Sequence, residues 1–320
     1  NGVGVKLMPG GQNPRDTYVT GIVLPAIAST GTPNAVVTVG TLAGRTDGSG
    51  AGGAWTYKDV VQNTIDYYAF GQNEGPTTAQ GGWRYWANSA SEQGSDQSTT
   101  QWPVIASLYA TKMGVSTPQF VKDELAIWVR HIQNYPGPGN AGYEFPTSPA
   151  GEMNETGALL TMMSYLGWDN AAPGTDENLR YQAALAYMNI RWLETANSTW
   201  DGNFNHPYAM WAIYKGLELT IGLDDMTTIT NLHPDPGDVD NPNHGYNWWE
   251  DYCEWLVNAQ AANGSWAGYS YWNTFLATPW YINILAATRI PGNEVPEPLT
   301  MLLFGTGLAG IAGSRLRKKK

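Results

Sequence analysis

Four aromatic residues, each set in a glycine- or asparagine-rich turn, recur along the chain at a nearly constant spacing. Trp83, Tyr143, Trp200 and Trp266 stand 60, 57 and 66 residues apart. The same order of signals surrounds each one. A helical stretch ends at Gln or Asn, a polar turn carries the aromatic, and a second stretch of small and apolar residues follows. The first copy reads Gln72-Asn73-Glu74-Gly75, then Gly81-Gly82-Trp83, then a helix over 97–112. The second reads Gln133-Asn134, Gly142-Tyr143 and a helix over 154–166. The third has Asn197, Trp200-Asp201-Gly202-Asn203 and a helix opened by Pro207 and running to Thr220. The fourth has Gln260, Asn263-Gly264-Ser265-Trp266 and a helix from near Thr274. A single unit of this kind cannot cover its own apolar face, so such a period implies stacked helical hairpins.

The stretches between these turns are helical by periodicity. Val121, Leu125, Trp128 and Ile132 fall at i, i+4, i+7 and i+11, behind Thr117 as N-cap and Pro118 at the first helical position. Leu179, Ala183, Ala186, Ile190 and Leu193 repeat the pattern behind Thr175, and Trp248, Tyr252, Trp255 and Ala259 do so again. Another helix is expected over 59–70. Every strong signal is helical, so the expected class is all-α, with the hairpin array over residues 55–290. Residues 1–54 are less regular: 19–27 reads as the second helix of a degenerate hairpin. The Gly/Thr-rich stretch 29–54 has room for one short strand pair.

The repeat resembles that of the squalene cyclase and prenyltransferase superfamily, best at Gln72…Gly82-Trp83 and at Gln260…Gly264-Ser265-Trp266. In the cyclases a glutamine and a Gly-x-Trp cap helices of adjacent repeats. The second copy departs by carrying Tyr143, the third by carrying Asn197 in place of Gln. The resemblance covers about residues 55–290 and implies an α/α toroid, its hairpins closed around a central cavity. It carries little chemistry over. The acidic motif that protonates an alkene in the cyclases is reduced here to Asp224-Asp225, a pair that reads as solvated loop. Asp251-Tyr252-Cys253 fits the Asp-x-Cys of a prenyltransferase zinc site, but no histidine follows His244. Zinc requires at least three protein ligands. Cys253 therefore reads as a small buried residue.

The C-terminal residues give an address. Val295-Pro296-Glu297-Pro298 precedes an apolar run over 299–313 that includes Leu299, Met301, Leu302, Leu303 and Phe304; Arg315, Arg317 and three lysines follow. This order resembles the PEP-CTERM sorting signal of Gram-negative bacteria. The resemblance implies export, retention in the inner membrane by a single transmembrane helix over 299–313, and cleavage by an exosortase-type protease on the way to the cell surface. Residues 291–320 form this tail. The run spans about 23 Å as a helix, short of a hydrocarbon core of about 30 Å. Snorkelling Arg315 and Arg317 can close that gap. The five cations favour a cytoplasmic end, which leaves the preceding chain outside. An exported protein needs an export signal, and none opens at Asn1, so an upstream leader is expected.

Without those five cations the chain carries 12 basic against 28 acidic residues, a net charge of −16. Phosphate backbones demand the opposite sign, so nucleic acid is not an expected partner. One cysteine excludes an internal disulfide.

Three groups of residues are candidates for function. Trp83, Trp86, Tyr143, Trp200 and Trp266 pair broad apolar faces with polar edges, as sugar-stacking platforms do. Asp96 and Glu155 lie at helix starts among Gln97, Gln101, Asn154, Asn203, Asn205, His206 and Asn273. They read first as caps and second as the paired carboxylates of a glycoside hydrolase or lyase. Asp235, Asp238 and Asp240 lie in a proline-rich loop that offers the oxygen ligands calcium takes, without EF-hand spacing. No other cofactor is expected. The leading reading is a non-catalytic binding or matrix module for exopolysaccharide or another envelope component, an association that the sorting signal's family context implies. A glycan-acting hydrolase or lyase using Glu155 and Asp96 comes second, and a cyclase-like lipid enzyme third.

Overall fold

The computed structural model describes Val5, Leu7 and residues 15–75, 77–86, 94–144, 152–235 and 246–287. By contacts the chain divides into Asn1–Thr288 and Arg289–Lys320, and the second unit lies wholly outside the described residues. Among the described residues the α-helices are α1 Asp16–Ser29, α2 Tyr57–Gly71, α3 Gln97–Ala110, α4 Gln119–Ile132, α5 Met153–Leu166, α6 Asp176–Arg191, α7 Pro207–Thr220, α8 Trp248–Ala259 and α9 Thr274–Leu285. There is no strand among them, only isolated bridges such as Val36 with Thr56. The chain is all-α here. The strand pair expected over 29–54 is absent, and α1 is a full helix where only part of one was expected.

Local signals place most helix starts. Thr56 and Asp59 form a capping box before α2, and Asn247 and Glu250 form another before α8. The Thr175 hydroxyl accepts from Asn178 N at 3.3 Å, and Pro207 opens α7. At α4 the expectation needs correction: Pro118 occupies the N-cap position with extended ψ, and Thr117 does not cap. Two buried faces also differ. On α6 the buried residues are Tyr181, Ala184, Leu185, Tyr187 and Met188, whereas Leu179 is 45% and Ile190 75% exposed. Tyrosine and methionine faces outweigh an aliphatic stripe of equal period. On α8, Leu256 is buried in place of Ala259.

Burial sets α3, α5 and α7 apart from the other helices. The even helices present one buried stripe each: α4 buries Val121, Leu125, Trp128, Val129 and Ile132 and exposes its charged side. Helices α3, α5 and α7 are buried on nearly every face and form an inner layer with α1 and α9. Small residues permit this crowding. A Cβ on Gly157 would lie 2.5 Å from Ile213 N, and one on Gly216 would lie 2.5 Å from Gly157 O, so α5 and α7 pack backbone to backbone. The resemblance implies a central cavity, but here Trp102 of α3 stacks on Trp211 of α7 at 5.1 Å, and Trp280 of α9 meets both edge-on.

The glutamine turns join successive hairpins. Gln72 Nε2 donates to Gly81 O in its own turn and to Val121 O on α4, at 2.9 and 3.0 Å. Gln133 Nε2 does the same towards Gly139 O and Arg180 O on α6, at 2.9 and 2.8 Å. Gln260 Nε2 donates to Gly264 O at 3.0 Å. The indole N–H groups of Trp83 and Trp266 donate to Tyr68 O and Leu256 O on the preceding helices.

The register of the repeat differs from the sequence reading. Trp83 receives its backbone partners from Thr100 and Asp96, and Ala141 receives the same partners from Thr156 and Glu152. Tyr143 therefore corresponds to Tyr85, not to Trp83. In the third copy the fully buried Phe204 fills the core position, and Trp200 sits outside it.

Candidate functional site

The inner helices start at one level, and their first turns bring an unusual set of side chains together. Asp96, Glu152 and His206 hold the N-cap positions of α3, α5 and α7. His206 caps through Nδ1, which accepts from Ala209 N at 3.3 Å. Asp96 and Glu152 make no side-chain cap bond, and Glu155, in the first turn of α5, receives Tyr208 instead of an N-cap amide. The cap reading holds for Asn273 and fails for Asp96 and Glu155.

Glu155 has no exposed surface. Its Oε1 accepts from the Tyr208 hydroxyl at 3.3 Å, and that hydroxyl accepts from Gln101 Nε2 at 2.5 Å. Asn154 Nδ2 donates to the Tyr143 hydroxyl at 2.5 Å, and Tyr143 lies against the same carboxyl. Tyr143 borders the Glu155 carboxyl and the Trp200 backbone borders the His206 ring, while Gln101 Oε1 has no hydrogen-bond partner among the described residues. Asp96 receives the Ser98 hydroxyl and lies 3.6 Å from Arg84, which also pairs with Glu144. Beside Glu152, Asp201 joins Arg191 at 2.6 Å and accepts from Met153 N at 2.9 Å.

Burial decides the protonation of this cluster. It raises the Glu155 carboxyl well above the usual carboxylate range, with Asp96 and Glu152 adding to the effect. Burial and then Asp201 push Glu152 up to about 8. Asp96 is raised by burial against the opposing pull of Ser98 and Arg84. Burial and nearby carboxyls also raise Tyr85, Tyr143 and Tyr208, so their hydroxyls stay protonated donors. His206 moves the other way, down to about 4, because burial disfavours its cation. Burial thus shifts all three carboxyls towards their protonated forms, Glu152 up to about 8, beside phenols that remain donors.

An aromatic surface adjoins it. Trp200 stacks on Tyr271 at 5.8 Å and 24°, and meets Tyr269 and His206 edge-on at 5.3 and 5.2 Å. Tyr271 is 84% exposed. Tyr269 lies 4.3 Å from His206, and Trp272 stacks on Tyr208 at 5.6 Å. The two loops that carry these rings hold Trp200, Asn205 and Ser270 at φ of 66°, 65° and 49°. Such conformations are costly for residues other than glycine and concentrate at functional positions.

The other candidates separate from this site. Trp83 and Trp266 are 1% and 2% exposed, so their ring faces are covered by protein. Trp86 is half-buried. Asn203 is used structurally, bonded to Trp192 O and the Tyr252 hydroxyl. Asp235 is half-buried, while Asp238 and Asp240 lie outside the described residues. No group of three metal-binding side chains occurs among the described residues. Asp251 accepts from the Trp192 indole at 2.6 Å and meets His233 Nδ1 at 2.9 Å; burial pushes the Cys253 thiol up to about 12. Asp225 closes a turn through Thr227 and Thr228. Sequence reasoning missed Glu152, Tyr208, Tyr269 and Tyr271. The corrected register could have found Glu152, because it stands where Asp96 stands one repeat earlier.

The predicted anchor (Leu299, Met301, Leu302, Leu303, Phe304, Arg315 and Arg317) and the Pro296-Glu297-Pro298 motif lie outside the described residues, among which no helix is long and apolar enough to cross a membrane. Comparison with known proteins bears on that segment. No characterised sequence and no solved structure matches the chain. A family model, described as the PEP-CTERM protein-sorting motif, matches residues 294–318. The motif marks this chain as an exported envelope protein, held at a membrane and processed by an exosortase, a membrane protease, on its way to the surface.

Proposed function

We propose that the helical body binds an extracellular polysaccharide of the cell envelope through Trp200, Tyr269 and Tyr271. The observation that carries this reading is the stack of half-buried Trp200 on Tyr271, which is 84% exposed. Rigid aromatic faces present a broad apolar area at low entropic cost, and a sugar ring offers a matching face of C–H bonds. The surface location that the sorting motif gives supports an envelope glycan as ligand and exopolysaccharide as the partner. In this reading the body is an α/α toroid of hairpins over about residues 55–290, supported by the alternation of inner and outer helices.

The test is a titration of the full chain in mild detergent against a panel of polysaccharides, read by tryptophan fluorescence. The Trp200→Ala/Tyr271→Ala double variant should weaken binding by about tenfold, the worth of one to two aromatic contacts. A panel that leaves the fluorescence unmoved, or a double variant that binds as the parent does, overturns the reading.

A further inference from the structure

Helix α9 carries a face that the fold leaves uncovered. Ala277, Tyr281 and Ile284 are buried, whereas Phe275 is 89%, Leu276 45% and Ile282 49% exposed, and Pro279 is exposed as well. Phe275, Pro279 and Ile282 follow at i, i+4 and i+7, so they share one side of the helix. Apolar groups gathered in this way differ from the scattered ones normal on a protein surface, and they mark a contact with a partner or a membrane.

Charge and position narrow the choice. The chain ahead of the five C-terminal cations carries −16, yet residues 255–288 contain no charged residue and no histidine. The sorting motif holds the chain at a membrane. Eleven residues, 288–298, separate Ala287 from the apolar run that begins at Leu299, a tether of at most about 40 Å. A bilayer within that reach is present at high effective concentration. A second copy of the chain fits less well. The stripe rises about 11 Å along a helix about 10 Å wide, whereas a stable pair of proteins buries about 800 Å² on each partner. A lipid surface asks for no complementary shape, and its hold grows with the apolar area immersed.

We propose that the Phe275, Leu276, Pro279 and Ile282 face of α9 lies in the headgroup layer of the bilayer while the tail holds the chain there. Neutrality is what permits this contact. A charge on the face would lose hydration on entry, and the acidic remainder of the chain is repelled by anionic headgroups. The lipid that suits the face is therefore zwitterionic. Cleavage by the exosortase removes the tether, so the contact ends with processing. The inference is independent of the glycan reading.

The test reconstitutes the full chain in phosphatidylcholine vesicles, in a Cys253→Ala background, with Phe275→Cys or Ile282→Cys carrying a fluorophore. Ile190→Cys, at a position 75% exposed on α6, is the reference. Phosphatidylcholine bearing a nitroxide near its headgroup should quench the labels at 275 and 282 at least about twofold more than the label at 190. Adding Phe275→Asp and Leu276→Asp to the Ile282→Cys chain should return its quenching to the reference level, with the melting temperature unchanged because both positions are exposed. Quenching at either position no greater than at 190, or quenching that survives the two aspartates, overturns the proposal. Energy transfer between labelled copies in place of lipid quenching would assign the face to a second chain and overturns it as well. So does a full chain that fails to float with the vesicles.

Discussion

Tyr208 on α7 donates its hydroxyl to Glu155 Oε1 on α5 across 3.3 Å, at a depth where Glu155 has no exposed surface and Tyr208 has 2%. The same hydroxyl accepts from Gln101 on α3, so one oxygen ties three inner helices together. Tyr208→Phe removes both bonds, leaving Glu155 Oε1 without its donor and Gln101 Nε2 with Ser98 O alone. The expected loss is about 2–4 kcal/mol in urea unfolding, since each orphaned polar group costs about 1–3 kcal/mol.

Stability should fall as the solution becomes alkaline. Burial holds the folded Glu152 carboxyl at about 8, well above its ordinary value near 4.5. Its stabilising effect is complete below the unfolded value and is lost as pH rises through about 8. Glu155, raised in the same direction, adds to that slope. The melting temperature should drop by at least about 4 °C between pH 5 and pH 9. Glu152→Gln should flatten the alkaline limb, and an unchanged slope in that variant would refute the assignment.

The turn glutamines should rank by the bonds they make. Gln72→Leu and Gln133→Leu each remove two side-chain bonds, one of them to the next hairpin, whereas Gln260→Leu removes one within its own turn. Thermal melts should show about 2 kcal/mol lost for each of the first two and at most about 1 kcal/mol for the third.

The α5–α7 contact admits no extra carbon. Gly157→Ala would set its Cβ 2.5 Å from Ile213 N, on backbone that cannot rotate away. A cost of about 1–3 kcal/mol is expected despite the gain in helix propensity, and Gly216→Ala should behave alike. Either variant melting at or above the parent temperature would show that the helices can part.

Processing depends on the sorting motif at residues 294–318. Replacing Pro296, Glu297 and Pro298 together with alanine should leave the chain at full length in the membrane fraction, read by immunoblot. Cleavage at the parent rate would place the recognition elsewhere.

Much of this architecture could be read from the sequence because helices report themselves locally. The α4 stripe from Val121 to Ile132, the Pro207 start of α7 and the Asn273 cap of α9 depend on residues a few positions apart. Register did not report itself. Tyr143 sits beside a glycine just as Trp83 does, and only the backbone bonds of Ala141 reveal the two-residue offset. The α6 face was misread because apolar count favoured Leu179 and Ile190, whereas the inner layer offered room for tyrosine rings. At the site, Glu155 and Asp96 were visible as residue types at helix starts. Their burial and their tyrosine partners come from three helices far apart in sequence, which no local pattern encodes.

The packing of Trp102, Trp211 and Trp280, with Trp272 4.4 Å from the last of them, gives this protein a built-in optical reporter. Indoles this close share their excited states, so the folded chain should show exciton-split ellipticity in the ultraviolet. That signal belongs to the convergence of α3, α7 and α9 rather than to any one helix. Its disappearance ahead of the helical band during heating would time the moment when the inner layer comes apart.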